Sequence, residues 1–388
     1  MKTSIVQMIK IILNSLFLIS VCFLINPFSV LQAQEIKYTS RNGDWNSDSL
    51  GNHRAVVNFD GSTKVAKVTV DWRRRDFEPE KKNIIIEDAQ THKKIFNVKR
   101  GIINREFGEI YFEPTSGAGN YYIYYLPYKA SGKSNYPKNT YPEFVETADV
   151  NWLLSIKESS NVNEANVIEI QSIDELNSFY PMEVIASSSE VQSLTEKYFD
   201  KPFVIFPEDR MYPIKMVKDL PQRWMLTNPK NSFEGQACKG EYFAFQFGIY
   251  AIQDIRDIKV SFSDLKSSAG KSISSDRLSC INTNGINWDG KPLTKKVDVS
   301  AGLVQALWCG VDVPKDIEVG VYKGIATISV DNSFSKNIEL IITVNNTLLD
   351  DGGVNEPWKQ TRLKWLNSTL AQDNSVIHPY IPLVLKNN

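Results

Sequence analysis

In the stretch VAKVTVDW the residues Ala66, Val68, Val70 and Trp72 fall on one face of an extended chain, a period of two that no helix can use. NIIIED, GEIYFEP and NYYIYYLPYK follow between turn signals, so the chain from Glu35 to about Tyr141 is expected to form antiparallel sheets packed as a sandwich. The SGAGN turn between GEIYFEP and NYYIYYLPYK reads as a hairpin connection, because its glycines accept positive φ. The alternation returns later and more strongly. Phe243, Phe245, Phe247 and Ile249 share a face, as do Leu303, Leu307, Val311 and Val313, and then Ile338, Leu340, Ile342 and Val344. A second sandwich is expected there, each sheet with one face inward and the other solvated, and with Tyr322 packing across the sheets.

Between Asp149 and Phe206 the pattern changes to short strands, VIEIQ, MEVIAS and FVIFP, separated by helical stretches starting at Ser172 and near Ser188. Ser172 with Glu175 three residues on has the form of a capping box. That accounts for Asp174 and Glu175, the one acid pair in Asp-Glu order and so the one that invites a catalytic reading, as a helix start. Pro207, Pro213 and Pro221 then mark an extended linker. The fold class expected is mainly β: two β-sandwich domains with a small α/β segment between them. The expected divisions are a leader over 1–33, a first sandwich over 34–148, the α/β segment over 149–206 and a linker over 207–223. A second, Ig-like sandwich spans 224–345, and 346–388 reads as the start of a connection to a missing downstream domain.

Lys2 and Lys10 precede an apolar run from Ile11 to Ile25, which is short for a membrane span and has the layout of a cleaved signal peptide ending near Ala33. The mature chain is therefore expected outside the cytoplasm, secreted, periplasmic or at the cell surface, without a stable membrane anchor. Loss of the leader takes the formal charge from -1 to -3, and no basic field for nucleic acid is implied. Cys238, Cys280 and Cys309 remain, an odd number without CxxC spacing, so one disulfide at most or free buried thiols are both open.

Chemistry is sparse. His53, His92 and His378 lie far apart without a second ligand at zinc spacing, so no metal and no cofactor is expected. SAGKS, Ser268 to Ser272, lacks the earlier glycine of a phosphate loop and reads as a solvated turn. NTNGINWDGK offers Trp288 among Asn284, Asn287 and Asp289; a loop aromatic beside amides can stack on the apolar face of a sugar ring, which makes Trp288, Asn284 and Asp289 the candidate carbohydrate contacts. The competing and more ordinary reading is that Trp288 plugs an open end of the core or a domain seam; Trp72 in DWRRRDFEP presents the same choice, with Arg73 to Arg75 as a solvated or ion-paired strand end. In TRLKWLNSTL, Leu363, Leu366 and Leu370 fall at helical spacing with Trp365 beside them, which as a helix is an apolar stripe in need of a partner; a strand crossing between domains is the alternative.

DLPQRWMLTNPKNSFEGQACKGEYFAFQFGIYA, VQALWCGVDVPKDIEVGVYKGIATISV and EPWKQTRLKWLNSTLAQDN, with WRRRDFEPEKKNIII and YYIYYLPYK, resemble the N-terminal region of large secreted Bacteroidetes proteins related to glycoside hydrolase family 123. The resemblance covers nearly all of the mature chain. It implies sandwich domains that precede a TIM-like barrel carrying an adjacent Asp-Glu pair, the Glu as general acid/base and the Asp steadying the substrate's N-acetyl group. Asp174 and Glu175 lie in the wrong region to be that pair, so no catalytic residue is carried over. The partners implied are a glycan and the barrel itself; a stand-alone carbohydrate-binding or adhesion module is the alternative.

Overall fold

The strand Val65–Val70 buries Ala66, Val68 and Val70, and Trp72 continues the same face. It belongs to a computed structural model that describes residues 37–384 apart from 134, 158–161, 332–333, 370–375 and 377; the leader 1–33 lies outside the described residues. Strand accounts for 44% against 13% helix, so the chain is mainly β with few helices. Among the described residues no helix is long and apolar enough to cross a membrane.

In the first sandwich one sheet runs Asn166–Ser172, His53–Phe59, Gly119–Tyr125, Ile84–Asp88 and Lys94–Ile95; the facing sheet runs Val162–Glu164, Val65–Val70, Gly108–Phe112 and Val98–Ile103. Rings from the two sheets meet, Phe112 with Tyr121 at 5.0 Å and Trp72 with Tyr125 at 5.4 Å. Trp72 Nε1 donates to the Asn104 carbonyl, which satisfies its polar edge inside the core. Gly108 is required beneath it, since a Cβ there would lie 2.1 Å from the indole.

Gly108–Phe112 and Gly119–Tyr125 are in different sheets, so SGAGN is not a hairpin turn. It carries the chain from one layer to the other. Tyr121 fixes the crossing by donating its hydroxyl to the Gly117 carbonyl at 2.8 Å, four residues upstream. Tyr322 makes the same bond to the Glu318 carbonyl, also at 2.8 Å, at the corresponding corner of the second sandwich. Both are the tyrosine-corner device of Ig-like sandwiches.

The second sandwich packs Phe203–Asp209, Tyr242–Ala251, Val304–Asp312 and Leu278–Cys280 against a sheet containing Ser232–Lys239, Phe334–Leu348, Gly320–Val330, Leu265–Ser267 and Ser272–Ile273. Their inner faces form one core that includes Phe243, Phe245, Phe247, Leu307, Leu340 and Ile342. Phe334–Leu348 keeps the expected alternation, its outer face open to solvent. Tyr242–Ala251 does not, because all its residues are buried. Its outer face carries Tyr250 into a second cluster with Met182, Leu194, Phe206, Leu220 and Trp224. There Trp224 stacks on Phe206 at 4.3 Å, and Gly248 leaves the space that the indole occupies.

The covering layer corrects the expected α/β segment. Asn166–Ser172 pairs with His53–Phe59, and Phe203–Asp209 pairs with Tyr242–Ala251 through the start of the expected linker, so these strands complete sheets of the two sandwiches. Short strands gain their hydrogen bonds that way and could not persist alone. No helix starts at Ser172: the residue stays in the ladder opposite His53, and its hydroxyl donates to the Asp174 carbonyl. The capping box belongs instead to Ser187 and Glu190, at the start of the helix Ser188–Lys197. Glu190 also receives Arg73 at 2.8 Å, Glu183 pairs with Arg75 at 3.3 Å, and Asp219 takes Arg105 through two bonds of 2.9 and 2.7 Å. The arginines of WRRR thus tie the first sandwich to the layer over the second. Arg74 is used locally, on Asp76 and on His53.

All three cysteines are free and buried. Cys280 and Cys309 lie directly opposite each other on neighbouring strands.

Candidate functional site

Asn284–Ile286 and Pro292–Thr294 pair as a short hairpin off the second sandwich. Its root is pinned: Asn282 Oδ1 accepts the Trp308 amide at 2.6 Å, and Lys295 Nζ donates to the Ile281 carbonyl at 2.8 Å. Its tip is a turn closed by Gly290 N-H on the Asn287 carbonyl, with Gly290 at φ 76°. Trp288 sits at that tip, 86% exposed, with its amide held by Asn287 Oδ1. Trp288 is therefore no plug: a two-strand ribbon standing off the sandwich has no core beneath its turn. Asp289 is tied to Lys291, whose side chain and amide hold its carboxyl below the usual range. Asn284 is exposed at the hairpin root, so the three candidate residues share one ribbon, with Trp288 and Asp289 adjacent and Asn284 further back.

The hairpin root packs against the 3₁₀ segment Thr361–Asn367, where a Cβ on Gly285 would lie 3.3 Å from Asn367 Oδ1. Leu363 is half-buried while Trp365 and Leu366 are exposed; Leu370 lies outside the described residues. The segment is held from its N-terminal side by a buried charge cluster. Arg210 donates to Glu241 Oε1 at 2.5 Å and to the Lys359 carbonyl at 3.4 Å, while Glu241 Oε2 accepts the Cys238 amide at 2.7 Å. Lys359 Nζ lies 3.9 Å from the same carboxylate. The guanidinium also lies 5.5 Å from the centroid of the Trp358 ring. Thus 357–367 is fixed in place on the sandwich, and Trp365 is presented from a firm base. The role of Thr361 and Asn367 in this seam has no sequence signal, because the segment is noticeable for its leucines and tryptophans.

Asp174 and Glu175 belong to neither the hairpin nor the Thr361–Asn367 segment. Asp174 Oδ1 accepts both the amide and the side-chain nitrogen of Asn177, and Glu175 is exposed. Nearby, His53 is locked as a neutral ring: Nδ1 accepts from Arg74 and Nε2-H donates to the Asn177 carbonyl, both at 2.8 Å. Burial and then the Arg74 charge push its pKa down to about 3, so it acts as a structural bridge. Among the described residues no group of three or more His, Cys, Asp or Glu could hold a metal ion. SAGKS forms the turn between Leu265–Ser267 and Ser272–Ile273.

Residues 43–173 match the family model of glycoside hydrolase 123, N-terminal domain. This supports a relation to that family and a glycoside hydrolase-associated, non-catalytic region. No curated protein matches the chain. Among solved structures, a family 123 glycoside hydrolase from Clostridium perfringens is 13% identical at a TM-score of 0.30, over 38% of this chain and 28% of that one. The major subunit of Myf fimbriae, MyfA, from Yersinia enterocolitica is 15% identical at a TM-score of 0.21, over 30% of this chain and 95% of that one.

Proposed function

We propose that this chain is the non-catalytic β-sandwich region of a secreted glycoside hydrolase-like protein acting on glycans, and that it contacts sugar through the 284–294 hairpin. Trp288 is the platform, and Asn284 and Asp289 supply polar partners for hydroxyls. The observation that carries this reading is the exposure of Trp288, 86%, at the tip of a pinned ribbon. An indole left in water has no packing role there, whereas against the C-H face of a sugar ring it would bury apolar surface on both sides. The match of residues 43–173 to the N-terminal domain of family 123 supports the same class of ligand. Hydrolysis would then belong to the TIM-like barrel that the resemblance implies.

The test is a glycan array probed with the mature chain and with Trp288→Ala. Binding that falls at least tenfold in the variant is expected; equal binding by both would remove the hairpin from the reading. The expected N-terminus near Gln34 is checked by mass spectrometry of the exported form, where an intact Met1 in a membrane fraction would oppose secretion.

A further inference from the structure

We propose that Cys280 and Cys309 close a disulfide when the chain folds in the presence of a disulfide oxidant, and that this bond staples the root of the hairpin that carries Trp288, an inference that rests on the secretion proposed above only for where the oxidant is met. Cys280 ends the strand Leu278–Cys280, three residues at the edge of the second sandwich, and the chain runs from it directly into the 284–294 hairpin. A strand so short, paired on one side, has little of its own to hold it in the sheet.

Cys280 faces Cys309 across the antiparallel ladder, and one step further on Ile281 donates its amide to the Trp308 carbonyl at 2.9 Å. Hydrogen-bonded and non-hydrogen-bonded pairs alternate along such a ladder. Cys280 and Cys309 are therefore a non-hydrogen-bonded pair, the kind whose Cα atoms approach to about 4.5 Å with their side chains closest. Disulfides span Cα separations of about 4.4–6.8 Å, so the backbone is already within bridging distance. Both side chains turn into the same core, each 1% exposed, and each thiol perturbs the ionisation of the other, which makes the sulfurs neighbours. Oxidation removes only a weak bond from the Cys309 thiol to the Leu307 carbonyl, 3.7 Å long. Cys238 is held apart from the pair. It lies on Ser232–Lys239 in the facing sheet, where its sulfur accepts Asn345 Nδ2 at 3.5 Å and Lys359 Nζ at 4.0 Å.

The oxidant is a disulfide, of a small molecule or of a protein. One cysteine thiolate attacks it, forms a mixed disulfide and releases the first thiol; the second cysteine thiolate then displaces the other. Two electrons and two protons leave the cysteine pair and reduce the oxidant to two thiols. Burial keeps reagents out of the folded core, so the exchange takes place as the sheet forms or when the edge strand opens, and the closed bond is afterwards hidden from reductants. The bond closes a loop of about 30 residues that contains the whole hairpin, and cross-linking such a loop restricts mainly the unfolded chain. Trp288 is then presented from a root held covalently as well as by Asn282 and Lys295.

The experiment is refolding of the mature chain from urea in mixtures of reduced and oxidised glutathione, with wild type, Cys238→Ala and Cys280→Ala, followed by peptide mapping without reductant and by thermal unfolding. The expected result is a peptide linked through Cys280 and Cys309 in wild type and in Cys238→Ala, with Cys238 of wild type still a free thiol after denaturation. The thermal midpoint of the linked protein should lie about 5 °C or more above that of protein refolded with excess reductant. Cys280→Ala should show neither the link nor the shift. Wild type that stays fully reduced at every glutathione ratio, a link that involves Cys238, or a linked protein whose midpoint does not rise would overturn the proposal, and wild type alone answers all three whether or not the variants fold. An intact Met1 in the exported form would remove secretion and leave this result as found.

Discussion

Replacing Glu241 by Gln changes one buried atom and removes one buried charge. Glu241 is fully buried, and Arg210 and Lys359 are each 6% exposed, so water does little to screen them. The carboxylate accepts Arg210 at 2.5 Å and the Cys238 amide at 2.7 Å, with Lys359 at 3.9 Å. A glutamine of the same shape keeps one acceptor, turns an N-H group toward a donor and leaves Arg210 without its carboxylate, while Lys359 keeps Glu356 at 3.5 Å. Breaking a buried pair by removing one partner costs about 3–5 kcal/mol. Volume is conserved, so no cavity contributes. Equilibrium urea unfolding followed by tryptophan fluorescence should show this loss in the transition that carries the second sandwich. Because Arg210 also holds the Lys359 carbonyl, limited proteolysis should cut 357–367 earlier in the variant than in wild type. The double variant Arg210→Met with Glu241→Gln should lose less than the sum of the two single changes, since it removes both members of the pair. A loss below about 1 kcal/mol for Glu241→Gln would refute the reasoning, for it would mean that the cluster is hydrated or that the cations find other partners.

Stability should also fall with acidity before the carboxylates titrate. His53 is held neutral with its pKa near 3, below the ordinary value of 6.5, so its contribution is complete above pH 6.5 and is lost as pH falls toward 3. Between pH 7 and 5 this amounts to about 2 kcal/mol by linkage; urea midpoints at the two pH values measure it, and a His53→Gln variant with the same pH dependence as wild type would contradict it. The three cysteines should be inert to a thiol reagent in the native protein and react only on unfolding, since all are buried.

Alternation made the strands legible, but not their covers. In Tyr242–Ala251 the phenylalanine face is plain from the sequence, whereas burial of the opposite face depends on Trp224 and Phe206, which are brought there only by the tertiary fold. SGAGN has the chemistry of a tight turn, and such chemistry specifies a bend without naming the strand that follows as a partner. Ser172 with Glu175 and Ser187 with Glu190 present the same local pattern. The first is claimed by the ladder to His53, and the second is left to cap a helix. Trp72 and Trp288 both sit beside polar turns in the sequence, yet one is 2% and the other 86% exposed. Position along the chain did not separate them; the presence of a facing sheet did. The polar seam at Thr361 and Asn367 was hidden for the same reason, since a contact is a property of its surroundings.

That this chain handles glycans without cleaving them is tested most directly by incubating the mature protein with a panel of aryl glycosides that includes N-acetylhexosaminides. Cleavage needs a protonated carboxyl at the leaving oxygen and a second carboxylate, or an acetamido group held by one, at a fixed distance. Asp174 is occupied by Asn177 and Glu175 is exposed, so this pair does not meet the requirement. No release of the aryl group above background is predicted, with Asp174→Asn and Glu175→Gln indistinguishable from wild type. Turnover abolished by either substitution would contradict the non-catalytic reading and make this chain an enzyme in its own right.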